Sequence, residues 1–94
     1  MALSINCDMG EAFSLYRMGD DAEIIRFITM ANVACGFHAS DPTVMRQTVR
    51  LAKRHGVAVG AHPSLPDLQG FGRREMKMER GELTDCLLYQ IGAL

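Results

Sequence analysis

Two histidines and an aspartate stand out because each follows a short apolar run. Asp8 follows Leu3-Ser4-Ile5-Asn6-Cys7. His38 follows Met30-Ala31-Asn32-Val33-Ala34-Cys35 and Gly36-Phe37. His62 follows Val57-Ala58-Val59-Gly60-Ala61 directly. Histidine offers a neutral imidazole ligand or a general base near pH 7, and aspartate offers negative charge. Together Asp8, His38 and His62 could hold a divalent metal with open positions for water and substrate. They could equally do acid/base work without a metal, and the spacing does not separate the two. Taken singly, each has a plainer reading: a loop-capping imidazole, or an aspartate in a turn.

Other residues are candidates in a supporting role. Asn6 and Asn32 lie within predicted strands. A buried amide needs partners, so each either orients a reactive side chain or meets a ligand. Arg73 and Arg74 follow Gly70-Phe71-Gly72. A guanidinium fork matches a carboxylate, and Arg73 is the candidate for that contact. His55 reads as a helix-terminal residue, Asp41 as a helix N-cap and Asp67 as a turn residue. No phosphate-binding glycine loop is present: Gly70-Phe71-Gly72-Arg73-Arg74 lacks the Lys-Ser/Thr ending, and no GxGxxG follows a strand.

The elements that must position these groups alternate. Leu3–Cys7 alternates apolar and polar residues and predicts a first strand. Asp20 with Glu23 predicts a capping box opening a short helix, whose apolar side is Ile24, Ile25, Phe27 and Ile28. Residues 30–35 predict a second strand. Asp41-Pro42 opens a second helix and His55-Gly56 closes it, with Val44, Met45, Thr48, Val49, Leu51 and Ala52 on its inner side. Residues 57–61 predict a strand buried on both faces. After a proline-bounded loop, a last helix starts near residues 79–82 and carries a Leu83, Leu87, Ile91, Leu94 stripe to the end of the sequence. Strands alternating with helices predict right-handed βαβ units, a parallel sheet, and reactive residues at the carboxyl ends of the strands. Three strands are too few to close a barrel, which takes about 250 residues. The expectation is a single incomplete domain over residues 1–94, the N-terminal βαβαβα portion of a larger α/β barrel. A small self-sufficient α/β domain is the alternative.

Composition narrows the class. The 94 residues carry 10 basic and 11 acidic side chains, a net charge of -1, so no basic excess favours nucleic acid. No apolar run reaches the 18 or so residues of a membrane span, and no helix is basic on one face. Cys7, Cys35 and Cys86 make no CxxC pair and read as buried thiols in a reducing compartment. The first residues lack the basic region of a secretory signal, so the expected location is cytoplasmic.

Several blocks together are specific enough to resemble a known family. Ile5-Asn6-Cys7-Asp8-Met9-Gly10-Glu11-Ala12-Phe13 is one. Asn32-Val33-Ala34-Cys35-Gly36-Phe37-His38-Ala39 is another, and His55 through Ser64 is a third. Asp67-Leu68, Gly70 through Arg74, and Tyr89 through Leu94 extend the match over essentially the whole chain. The sequence resembles the LamB/YcsF family. That resemblance implies an irregular seven-stranded β/α barrel, similar to glycoside hydrolases and polysaccharide deacetylases, in a chain of about 250 residues. It implies the A component of an ATP-hydrolysing 5-oxoprolinase, which cleaves 5-oxo-L-proline to L-glutamate, with separate B and C subunits as partners. ATP, with or without Mg2+, is the implied cofactor. The alternatives are a metal-dependent amide or polysaccharide deacetylase and a non-catalytic fragment that only binds partner subunits. Ser14 and Ser40 stand where the family pattern has glycine, which puts the local loop geometry in question.

Overall fold

A computed structural model describes residues 3–94. Three strands, β1 (Asn6–Met9), β2 (Met30–Ala34) and β3 (Ala58–His62), form one parallel sheet in the order β1-β2-β3. Three helices, α1 (Asp21–Ile24), α2 (Pro42–Arg54) and α3 (Arg80–Ala93), alternate with them, and a 3-10 turn over Ile25–Phe27 extends α1. The α/β class, the parallel strands and the element order match the sequence expectation.

The register explains how the sheet divides its chemistry. Asn6 pairs with Met30 and Met30 with Ala58; Asp8 pairs with Asn32 and Asn32 with Gly60; Ala34 pairs with His62. Successive side chains alternate between faces, so Asn6, Asp8, Asn32 and His62 share one face. Cys7, Met9, Ala31 and Val33 share the other, which packs into the core with Ile25, Cys35, Met45, Ala52 and Val57. One face is apolar and carries the core, and the opposite face carries the polar groups.

Strand limits differ from the sequence reading. β1 begins at Asn6 rather than Leu3. Ile5 sits at the edge of the ladder, its carbonyl accepting the Thr29 and Met30 amides and its own amide donating to Thr29 Oγ1, because β2 starts only at Met30. β3 is not buried on both faces. Ala58, Val59 and Ala61 are exposed, because β3 is an edge strand of the sheet. An apolar run alone could not reveal that edge position.

Of the helices, α2 follows its sequence signals most closely. The Asp41 carboxylate accepts the Val44 amide at 2.9 Å, Pro42 occupies the first turn, and Gly56 takes φ +65 after the last. His55 lies at the C-terminus, its Nδ1 3.0 Å from the Leu51 carbonyl oxygen. Met45, Thr48 and Ala52 form the buried stripe.

The capping box at α1 does not form. Asp20 caps only through its backbone carbonyl, Glu23 pairs with Arg26, and Asp21 accepts the Gly10 amide at 2.9 Å. The Asp20 side chain makes no cap hydrogen bond and Glu23 is taken by Arg26, and the helix lasts one turn. Only Ile25 of its expected apolar side is buried.

α3 also docks differently from its leucine pattern. Leu83, Leu87 and Ile91 are partly exposed, whereas Cys86 and Gln90 are buried and Leu94 packs against the core. Hydrogen bonding to a loop, described below, sets its rotation.

Candidate functional site

β2 delivers the chain into the loop that holds His38, and β3 ends on His62. Their rings lie 4.7 Å apart between centroids, tilted by 58°. His38 is 2% exposed, and neither of its ring nitrogens has a hydrogen-bond partner among the described residues. His62 Nδ1 is buried without a partner as well, 3.7 Å from Asp8 Oδ1. Asp8 is held from the other side by Asn32, whose Nδ2 donates to Asp8 Oδ1 at 3.1 Å and to Asn6 Oδ1 at 2.9 Å. The residues picked from sequence therefore form one continuous polar row: Asn6, Asn32, Asp8, His62, His38.

Glu11 joins them. It offers a carboxylate oxygen that, with one nitrogen each from His38 and His62, makes a set of three donor atoms all within 4.8 Å of one another. In the sequence Glu11 is only one member of a longer block, with no role of its own. The available signal was Gly10, whose φ of +68 turns the chain straight after β1. A side chain at Gly10 would meet Thr48 Oγ1 at 2.8 Å, so the turn is packed tightly on α2.

The loop after β3 closes the site. Asp67 is buried, and its carboxylate takes both Arg74 Nε (2.9 and 3.0 Å) and the Gly70 amide at 2.9 Å. Its backbone amide donates to the Phe37 carbonyl at 3.1 Å, tying this loop to the one bearing His38. Asp67 is thus a turn residue that also anchors the loop. Phe71 then lies edge-on to His38, with centroids 5.2 Å apart. Arg74 is committed to Asp67. Arg73 takes no part in the ion pairs found among the described residues and lies over the Phe71 ring at 6.0 Å.

Sequence reasoning missed Gln90 as a structural residue. From α3 its Nε2 donates to the Ser64 carbonyl at 2.8 Å while its Oε1 accepts the Ser64 amide at 3.0 Å. It mimics a neighbouring strand and fixes the segment just after His62. The sequence clue was a glutamine inside an apolar helical pattern.

Electrostatics follow from this packing. Burial, then the neighbouring His62, pushes the His38 pKa down, while Asp8 pulls it up. Burial and the Asp8 charge push the Glu11 carboxyl up, against His62 and Arg73. Both shifts favour neutral forms when the site is dry. Burial raises the Cys35 thiol, which fits a core residue rather than a nucleophile.

Ser14 (φ 50) and Ser40 (φ 79) adopt the left-handed conformation that suits glycine, and Phe71 (φ 56) does too. All three are in loops at the carboxyl end of the sheet. Ser14 is held there by donating its amide to Asp41 at 2.7 Å.

The LamB/YcsF family model matches residues 3–94. The chain belongs to the LamB/YcsF family. Among curated LamB/YcsF relatives, the 5-oxoprolinase A subunit of Bordetella pertussis is 58% identical over 99% of this chain and 37% of its own length. That of Bacillus cereus (strain AH820) is 60% identical over 98% of this chain and 36% of its own. A crystal structure of a lactam utilization protein from Thermus thermophilus superposes with a TM-score of 0.95. It is 52% identical and covers 99% of this chain and 38% of that one. The chain thus spans little more than a third of the length of the relatives it matches. Among the described residues, no helix is long and apolar enough to cross a membrane.

Proposed function

We propose that this chain is the N-terminal part of the A subunit of an ATP-hydrolysing 5-oxoprolinase, a cytoplasmic enzyme that opens 5-oxo-L-proline to L-glutamate. Residues 1–94 then form a single incomplete domain. The remaining strands complete an irregular seven-stranded β/α barrel of the glycoside hydrolase and deacetylase type. The polar sheet face with Asn6, Asp8, Asn32 and His62 becomes part of the barrel's interior. The B and C subunits supply the rest of the enzyme.

The carrying observation is the close pair of buried His38 and half-buried His62 beside Asp8 and Glu11, in a chain whose relatives are named as the A subunit of 5-oxoprolinase. A five-membered lactam resists water, and ATP, bound with Mg2+, supplies the driving force. Transfer of the γ-phosphoryl group to the amide oxygen releases ADP and makes the ring carbon electrophilic. Water then attacks that carbon, and a base removes its proton. The ring C–N bond breaks as an acid protonates nitrogen, and a second water hydrolyses the acyl phosphate. His62, beside the Asp8 carboxylate, suits the proton transfers, and His38 sits within reach of the same space. Asn32 and Asn6 orient Asp8 and border the substrate. Arg73, uncommitted at the rim, suits the substrate carboxylate.

The test uses the full-length protein together with the B and C subunits. His62→Ala lowers 5-oxoproline-dependent ATP turnover by about 10²-fold or more, the usual scale for a positioned acid/base group. His55→Ala changes it little. Equal losses, with both variants folded, would sink the assignment. The donor set of Glu11, His38 and His62 also suits metal-dependent deacetylation of an amide, which turnover of acetylated sugars would reveal. A chain that only binds its partner subunits would show neither activity.

A further inference from the structure

His38 is the least expected feature of the molecule. An imidazole at 2% exposure with both nitrogens unpartnered costs free energy, because buried polar groups are otherwise hydrogen-bonded. His62 Nδ1 repeats the pattern beside it. One ring nitrogen from each histidine, facing a carboxylate, makes a set that one shared ligand would satisfy.

We propose that Glu11, His38 and His62 form a binding site for one divalent transition-metal ion of the zinc class. Their donor atoms lie within 4.8 Å of one another. An ion with bonds of about 2.0–2.2 Å draws its donors to within about 3–3.5 Å, a closure that small side-chain rotations supply. Two imidazoles and one carboxylate form a mixed N/O set of the kind zinc and its neighbours take. Magnesium prefers an all-oxygen shell and is not the ion this set selects. Asp8 stands outside the compact set. Its Oδ1 lies 3.7 Å from His62 Nδ1, beyond hydrogen-bond distance, and adds a second negative charge beside the set. Arg73 is the opposing cation at the rim. The surroundings are preorganised for this role: Phe71 lies against His38, and the Asp67–Arg74 pair pins the loop that carries Phe71.

The site is that of the proposed lactam chemistry, but the inference rests on donor geometry. Binding is read without 5-oxoproline or ATP, so either idea can fail alone. The full-length protein, stripped with chelator, is titrated with Zn2+ in competition with a chromogenic chelator. Cobalt(II) is substituted in parallel for its visible absorption. One equivalent should bind, with a cobalt spectrum free of thiolate charge transfer. Glu11→Gln, which keeps the side chain's size, and His38→Ala should each weaken binding by about 10–100-fold or more. Asp8→Asn should weaken it less than Glu11→Gln, and His55→Ala should not change it. Circular dichroism checks that each variant folds. Should His38→Ala fail to fold, Glu11→Gln and the cobalt spectrum carry the test. Absence of saturable binding, or full affinity in folded Glu11→Gln, would overturn the proposal.

Discussion

Gly72→Ala tests how tightly the loop over the site is built. Gly72 has φ +70, where a side chain costs about 1–2 kcal/mol. A methyl group there would also lie 2.2 Å from Ser64 Oγ and 3.0 Å from both Ser64 Cβ and His38 Cβ. The hydroxyl can rotate away. The two Cβ atoms cannot, since Gln90 clamps the Ser64 backbone and His38 is buried. Overpacking of this kind typically costs a further 1–3 kcal/mol or so, giving roughly 2–5 kcal/mol in all. In a full-length protein of about 250 residues, the lower end alone lowers Tm by roughly 4–8 °C. Because the strain falls on His38, Zn2+ affinity should drop as well, whereas a purely distant loop defect would leave it intact. Gly92→Ala is the control. It lies in α3 with open space around it, so it should be neutral or stabilising by up to about 1 kcal/mol. Equal melting temperatures for Gly72→Ala and Gly92→Ala would refute the close contact between the loop and His38.

Other outcomes follow from the same structure. Ser40→Gly relieves the strain of φ +79, offset by greater freedom of the unfolded chain, and should raise stability by up to about 1 kcal/mol in a denaturant titration. The Asp67 carboxyl is held below its ordinary value of 3.8, first by the hydrogen bond from Arg74. Its contribution is therefore complete above that value and lost as pH falls through the lower folded value. Asp67→Asn should be less stable at neutral pH, and the gap from the parent should narrow in acid melts. Cys35 and Cys86 are buried and Cys7 only partly so. A thiol reagent should label Cys7 first in the native protein and all three after denaturation.

Much of this was readable in the residues because the decisive interactions are local. Asp41, Pro42, His55 and Gly56 act within a few positions of themselves, so both ends of α2 can be read directly. His38 and His62 could be grouped because strand ends in a parallel sheet share one rim. What escaped depends on distant partners. Glu23 pairs with Arg26 and the Asp20 side chain makes no cap hydrogen bond, so the α1 box fails despite its spacing. Glu11 enters the donor set through the turn at Gly10, which no periodicity marks. α3 rotates toward Cys86 and Gln90 because Ser64 needs partners for its backbone, and hydropathy does not record that. β3 reads as a central strand because its residues are apolar, yet position in a sheet is a property of its neighbours.

The open edges govern how these 94 residues behave when expressed alone. β1 and β3 each have one unpaired side in the three-stranded sheet. An unpaired edge presents free amides and carbonyls to any other strand, and β3 does so with Val59 and Ala61 exposed. On the helical side, Leu83, Leu87, Leu88, Tyr89 and Ile91 also face solvent to varying degrees. For scaffolds only slightly smaller than this, core burial minus chain entropy comes out near zero. Burying these surfaces between copies is then the favourable route, and the isolated chain should form dimers or larger species. Light scattering after size exclusion, with melts at several concentrations, measures this directly. Val59→Lys, which places a charge on the exposed edge, should shift the distribution toward monomer. A monodisperse parent with a cooperative, concentration-independent melt would instead show a self-sufficient α/β domain whose open edges cost it nothing.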